Sequence, residues 1–223
     1  MTKNILIVAP HADDETLGCG GSILKFVQAG YEVHWLLVTG MSKSSGFTTT
    51  QIATRKKEIA AVTLAYGFSS VHELMLPSGK LETLPMRNII GPISDVISKI
   101  KPEQVFTVYR NDAHTDHKIV FDAVMSATKS FRYPFVKKVL AYETLSETDF
   151  GLKPEDGGFK PNVFIDVSLQ LEKKLTILEM YPSEIAPFPF PRSRKALESL
   201  AYVRGVQANV EAAEAFVLIK EIL

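Results

Sequence analysis

Two short segments concentrate side chains able to hold a cation and move protons. The first, APHADDETLGCGG at residues 9–21, carries His11, Asp13 and Asp14; the second, NDAHTDH at 111–117, carries His114, Asp116 and His117. His11 and Asp14 are separated by two residues in a turning segment, so both can bend toward one ion. His117 adds a third donor from the start of a helix. Two neutral imidazoles and one carboxylate leave a divalent ion net positive, with one or two open positions. That is the ligand type and count of a hydrolytic zinc centre, in which the pKa of water falls towards ~7. The same donors match a two-histidine, one-carboxylate ferrous site, so Zn2+ and Fe2+ both stay open.

The remaining members of the two clusters suit proton transfer. Asp13, beside the ligand carboxylate, is the natural general base for a metal-activated water. His114, one helical turn before His117, can reach the far side of a substrate carbonyl. Asp116 is expected to accept its ring proton and to favour its charged form. The reaction implied is attack of water on an amide carbonyl, with the metal and His114 stabilising the oxyanion and an amine departing. Taken singly, a histidine or a pair of aspartates after a strand is ordinarily a capped loop. Two such groups at two strand ends favour a metal site. A metal-dependent phosphoesterase is the enzymatic alternative, although no second carboxylate cluster for another ion is evident. A non-catalytic, metal-stabilised module binding a sugar or nucleotide is the other.

Other polar residues carry weaker expectations. Arg55 and Glu58 line a pocket or pair along their helix, the structural role being slightly favoured. Arg110, Asn111 and Asp112 orient the second cluster, Glu143 binds a sugar hydroxyl, and Arg192 and Arg204 anchor loops. Cys19 reads as a small buried residue rather than a nucleophile. The glycines of GCGG do not make a dinucleotide fingerprint, because Ile23 stands where the third glycine would fall. They are expected to give a tight turn that presents His11 and Asp14.

These clusters need strands to place them. ILIVA at 5–9 suits a strand buried on both faces, ended by Pro10. A helix over 22–29, a strand over 31–39, a helix over 51–66 capped by Gly67, and a strand over 71–76 follow. A helix over 86–99, a strand over 104–108 and a helix over 117–128 continue the alternation. Such spacing indicates βαβ crossovers and an α/β, Rossmann-like fold: one domain, 1–223, with a mostly parallel central sheet flanked by helices. Both clusters then lie at carboxyl ends of strands, where open parallel sheets bind ligands. Beyond residue 135 the pattern loosens into strands at 136–142 and 163–167 and helices at 169–180 and 194–203. The insert GLKPEDGGFKP at 151–161 separates the two strands, and the loops 39–50 and 150–160 are expected to frame the pocket mouth.

Composition narrows the partners. Among 223 residues, 25 Lys+Arg balance 25 Asp+Glu, which leaves no electrostatic footprint for nucleic acid. One cysteine excludes an intrachain disulfide. The apolar run near the N-terminus is too short for a membrane span and has no cleavage region after it, so the cytoplasm is the default location.

The two motifs together resemble those of the PIG-L/LmbE-like family of zinc-dependent N-acetylglucosaminyl deacetylases, as do RG at 204–205 and AEAF at 213–216. The resemblance implies zinc ligation by His11, Asp14 and His117, a general-base role for Asp13, and acid and oxyanion roles for His114 with Asp116 as its orienting carboxylate. It also implies a small-molecule N-acetylated sugar as substrate and assembly into homotrimers or hexamers. Ala12 and Thr115 stand where the family often has proline. Ser78 stands where many members have aspartate, which points away from glucosamine–inositol and glucosamine–malate substrates.

Overall fold

The computed structural model describes residues 3–151, 155 and 157–223. Seven strands form one sheet: β1 (Asn4–Ala9), β2 (Glu32–Gly40), β3 (Ser70–Pro77), β4 (Gln104–Val108), β5 (Lys138–Tyr142), β6 (Val163–Asp166) and β7 (Ala213–Glu221). Their order is β3-β2-β1-β4-β5-β7-β6. The first five are parallel, and β7 runs antiparallel between β5 and β6. The helices are α1 (Asp14–Gln28), α2 (Thr49–Tyr66), α3 (Arg87–Ile100), α4 (Thr115–Ala127), α5 (Leu171–Leu178) and α6 (Arg194–Ala208). They pack in two groups, α3 with α4 and α1 with α2, α5 and α6. This is the expected Rossmann-like sheet. Its strand order reverses between β1 and β4, and at such a switch point the crossovers diverge and leave a crevice.

Burial follows composition. Every residue from Ile5 to Ala9 is inaccessible to solvent, because β1 is central and covered on both faces. Tyr142 reaches under the switch point and donates its hydroxyl to the Val8 carbonyl at 2.8 Å. Phe106 of β4 meets Phe216 of β7 edge to face at 5.3 Å, so the antiparallel strand shares the core. The sequence reading did not assign β7 as a strand. Among the described residues, no helix is long and apolar enough to cross a membrane.

The glycine segment corrects the expected turn. The first helix begins at Asp14 rather than Ser22, so Gly18, Gly20 and Gly21 lie within it, and none has a positive φ. Their value is close approach. A Cβ on Gly18 would clash with Cδ2 of the Tyr142 ring, and one on Gly21 would lie 2.7 Å from Val167. The helix breaks at Cys19, where φ is −143°. Beyond the break, the N–H groups of Gly21 and Ser22 donate to Glu214 at 2.8 and 2.7 Å, and Lys174 pairs with the same carboxylate at 2.6 Å. A charge pair removed from water is tolerable when its remaining acceptor sites are filled in this way.

Candidate metal centre

The loop after β1 is strained at Asp13, which adopts φ 154° and ψ −27°. L-residues rarely take that conformation, at a cost on the order of 1–3 kcal/mol. Several bonds hold it. Arg55 donates to the Ala12 carbonyl, Asp13 N–H donates to Glu15 Oε2 at 3.1 Å, and the Asp13 carbonyl accepts from Thr16 and Leu17. The bend brings Asp14 Oδ2 to 2.8 Å from the His11 N–H, 3.3 Å from His11 Nδ1 and 3.4 Å from His117 Nε2.

The loop after β4 is more regular. His114 is the N-cap of α4, and its Nδ1 accepts the Asp116 N–H at 3.1 Å, so the ring proton resides on Nε2. His117, in the first turn, shares a 2.7 Å hydrogen bond between Nδ1 and Asp112 Oδ2, while Thr148 donates to Asp112 Oδ1 at 2.7 Å. The Asp116 side chain departs from expectation. It does not take the His114 ring proton but meets His11 Nε2 at 3.0 Å, and it accepts the N–H groups of Gly79 and Leu81 at 2.7 and 3.2 Å. Residues two apart at a helix start point in different directions, and Asp116 crosses the switch point to the other cluster. Each outer histidine is therefore backed by its own carboxylate: His11 by Asp116, His117 by Asp112.

Two donor sets arise, His11/Asp14/His117 and His11/His114/Asp116, with the donor atoms in each within 4.8 Å of one another. The first fits a divalent ion better. His117 Nε2 is buried and makes no hydrogen bond, with Asp14 Oδ2 facing it at 3.4 Å, and an ion held between the two would satisfy both. Asp116, by contrast, is already occupied by two backbone donors and a ring. Electrostatics agree that the pocket is built for positive charge. Burial opposes a charged His11, yet bonds to Asp116 and Asp14 push its pKa up to about 9. Burial opposes a charged His117 as well, and Asp14 and Asp112 push it up to about 10. Asp14 sits well below the carboxylate range: burial would raise it, but His117 and His11 prevail. Asp13 sits well above that range through burial and the adjacent Asp14, with Arg192 opposing. His114 moves opposite to expectation. Burial, then His11 and His117, pull it down to about 4, so its neutral ring is favoured.

A cavity of ≈ 250 Å3 opens over these side chains, bordered also by Met41, Phe47, Ser78, Glu147, Glu184 and Arg192. Met41 and Phe47 bear out the expected role of the 39–50 loop. Residues 152–154 and 156 of the other loop lie outside the described residues. Its Phe159 packs on Tyr109 and Arg204, away from this cavity. Arg192 is more than a loop anchor: it holds Asp13 Oδ2 at 2.8 Å and Glu184 Oε2 at 2.9 Å. Arg55 pairs with both Glu58 and Glu184, combining the structural and pocket roles. Glu143 is clamped by Arg204 through bonds of 2.7 and 2.6 Å rather than free for a sugar hydroxyl. Arg110 turns to Asp122. Glu147 and Glu184 escaped the sequence reading because no motif marks them. Asp112 was named there only as part of an orienting trio, and the structure gives it the specific task of backing His117.

The profile of the family described as "PIG-L: GlcNAc-PI de-N-acetylase" matches residues 6–128, which include both clusters. "Uncharacterized deacetylase YaiS" of Escherichia coli (strain K12) is 29% identical over 150 residues, 65% of this chain and 75% of that protein. Diacetylchitobiose deacetylase of Thermococcus kodakarensis is 26% identical over 95% of this chain and 81% of its own length. Among solved structures, the conserved protein TT1542 from Thermus thermophilus superposes with a TM-score of 0.80 at 24% identity, covering 100% of this chain and 97% of that one. With the profile spanning more than half its length and both halves of the metal centre, the chain belongs to the PIG-L/LmbE-like deacetylase family.

Proposed function

We propose that the protein, acting as one catalytic domain over 1–223, hydrolyses the amide of an N-acetylated amino sugar such as an N-acetylglucosamine conjugate. The observation that carries this reading is the meeting of His11 Nδ1, Asp14 Oδ2 and His117 Nε2, the last without a hydrogen bond, beside a cavity holding Asp13 and His114. These three donors would hold the ion, zinc by preference, with ferrous ion fitting the same set. When bound, such an ion polarises the amide carbonyl and makes water more acidic.

The chain's own residues do the rest. Asp13 accepts a proton from the attacking water, while Arg192 fixes its Oδ2 and favours the carboxylate form that a base needs. Neutral His114 offers its Nε2–H to the carbonyl oxygen as that atom gains charge, because Nδ1 is engaged by the Asp116 N–H. The new C–O bond forms, the C–N bond breaks, and the proton taken by Asp13 passes to the departing amine. Asp116 and Asp112 position His11 and His117 rather than touching substrate. Glu147, Glu184 and Arg192 give the cavity the polar partners that a sugar's hydroxyls require. The family resemblance further supports a homotrimer or hexamer, which light scattering would measure.

The test is elemental analysis together with amine release from N-acetylglucosamine and its conjugates. One ion per chain and stoichiometric acetate are expected. Saturable sugar binding without acetate would instead make the protein a binding module. The two-ion phosphoesterase alternative gains no support among the described residues, since both donor sets share His11 and form one site.

A further inference from the structure

The polar cavity shares His11, Met41, Arg55 and Ser78 with a second cavity of ≈ 60 Å3 between α2 and the carboxyl ends of β2 and β3. The walls of this second space are mainly apolar: Leu37, Ile52, Ile59 and Met75. Two backbone irregularities and one close contact meet at one wall. The pairing of β2 with β3 slips between Leu37 and Thr39, Met75 adopts a left-handed φ of 56°, and a Cβ on Gly40 would lie 2.5 Å from the Met75 sulfur. The thioether occupies the space that a side chain on Gly40 would take. Strain of this kind persists where surrounding structure imposes it, often beside a ligand.

We propose that this cavity is the acyl subsite, and that the enzyme prefers N-acyl sugars whose acyl chain is longer than acetyl. The inference rests on the amide-hydrolase reading above. An amino sugar's hydroxyls need polar partners, which the first cavity supplies, whereas the second sets Thr39, Lys56 and Glu73 into a mainly apolar wall. On an N-acyl sugar the acyl tail is the one apolar limb, it starts at the reacting carbonyl, and the two cavities meet at His11. A water-sized group occupies about 10–15 Å3 of such space, so the subsite takes about four to six heavy atoms. Hydrolysis balances as before: water oxygen adds to the acyl carbon, the C–N bond breaks, and a short-chain carboxylate and a free amino sugar leave.

The experiment compares kcat/KM for glucosamine bearing acetyl, butyryl, hexanoyl and decanoyl groups, with the zinc-loaded full chain. Burying two further methylenes predicts a gain of roughly 10-fold from acetyl to butyryl. Hexanoyl should match or exceed butyryl, and decanoyl should fall. Ile52→Trp, which fills the space, should bring the hexanoyl-to-acetyl ratio toward one. Met75→Ala, at a position about half exposed to solvent, should move the optimum to longer chains. Acetyl hydrolysed fastest, with no response of the ratio to Met75→Ala, would overturn the subsite while leaving the deacetylase reading intact. No hydrolysis of any N-acyl sugar by the metal-loaded protein would overturn both.

Discussion

After β1 and after β4 the chain delivers similar donors by different means. The β4 loop is backed largely from its own segment: His114 caps α4, His117 occupies its first turn, and Asp112, itself steadied by Thr148, backs His117. The β1 loop leans on others. Its backbone is bent at Asp13 and held by Arg55, its free carboxylate is held by Arg192, and its imidazole is backed by Asp116 from across the switch point. Damage should therefore travel from the β4 cluster to the β1 cluster more readily than the reverse.

The largest effect belongs to Asp14→Asn, which removes the only carboxylate from the proposed donor set. Metal content and amine release should both drop to background, and retention of either would reassign the ion to the set containing His114. Next comes Asp13→Asn, expected to keep one ion per chain while slowing turnover by ~10²–10⁴-fold. Loss of the ion there would mean that the two adjacent aspartates have exchanged roles. His114→Ala should cost ~10²-fold in kcat, the scale of one lost oxyanion donor, with the ion retained. With its pKa pulled down to about 4 by burial and by His11 and His117, the ring is neutral around pH 7 and its donor does not vanish as pH rises. Wild type and variant should thus share the same basic limb in their pH profiles. A limb that disappears with the ring would restore an imidazolium acid.

Smaller effects sharpen the contrast between the two backing carboxylates. Asp112→Ala and Asp116→Ala should each weaken zinc by ~10–100-fold in metal titrations. Only Asp116→Ala also strands backbone donors, the N–H of exposed Gly79 and that of buried Leu81, the buried one at ~1–3 kcal/mol. Its melting temperature should fall further, and equal falls would remove the asymmetry between the clusters. The smallest signal is protonic. His11 and His117, at about 9 and about 10 in the absence of an ion, must both be neutral to ligate. Zinc binding at pH 7 should accordingly release about two protons. Affinity should climb with pH and level off once both rings lose their protons unaided. Calorimetry in buffers of different ionisation enthalpy counts them.

What the sequence discloses tracks the range of each interaction. ILIVA, the capped end of the second helix at Gly67 and the strand at 104–108 are local patterns, and each stands where periodicity puts it. The meeting of the two clusters is legible as well, since a parallel sheet sends its strand ends to one edge. The side-chain partnerships inside the site are not. Asp116 lies two residues from His114 in sequence but serves His11, 105 residues away. Arg192 reaches Asp13 across 179 residues, with no spacing rule to announce it. The glycines misled for a related reason: their missing side chains answer to Tyr142 and Val167, not to the local backbone. The last strand, AEAFVLIKE, pairs only with distant β5 and β6, and no hairpin turn marks it.

The break in α1 at Cys19 bears on modularity. Every proposed donor to the ion lies within residues 6–128. Yet the helix that carries Asp14 is fastened by Glu214 and Lys174, from the far side of that boundary. Such a layout sets what can be recombined. A fragment ending near residue 128 would hold the full set of donors without the clasp that fixes one of them. A chimera that exchanged C-terminal halves between relatives would have to carry the Lys174–Glu214 pair into register with Gly21 and Ser22. The chemical inventory is thus separable from the rest of the chain, but the rigidity that makes it a site is shared property of both halves.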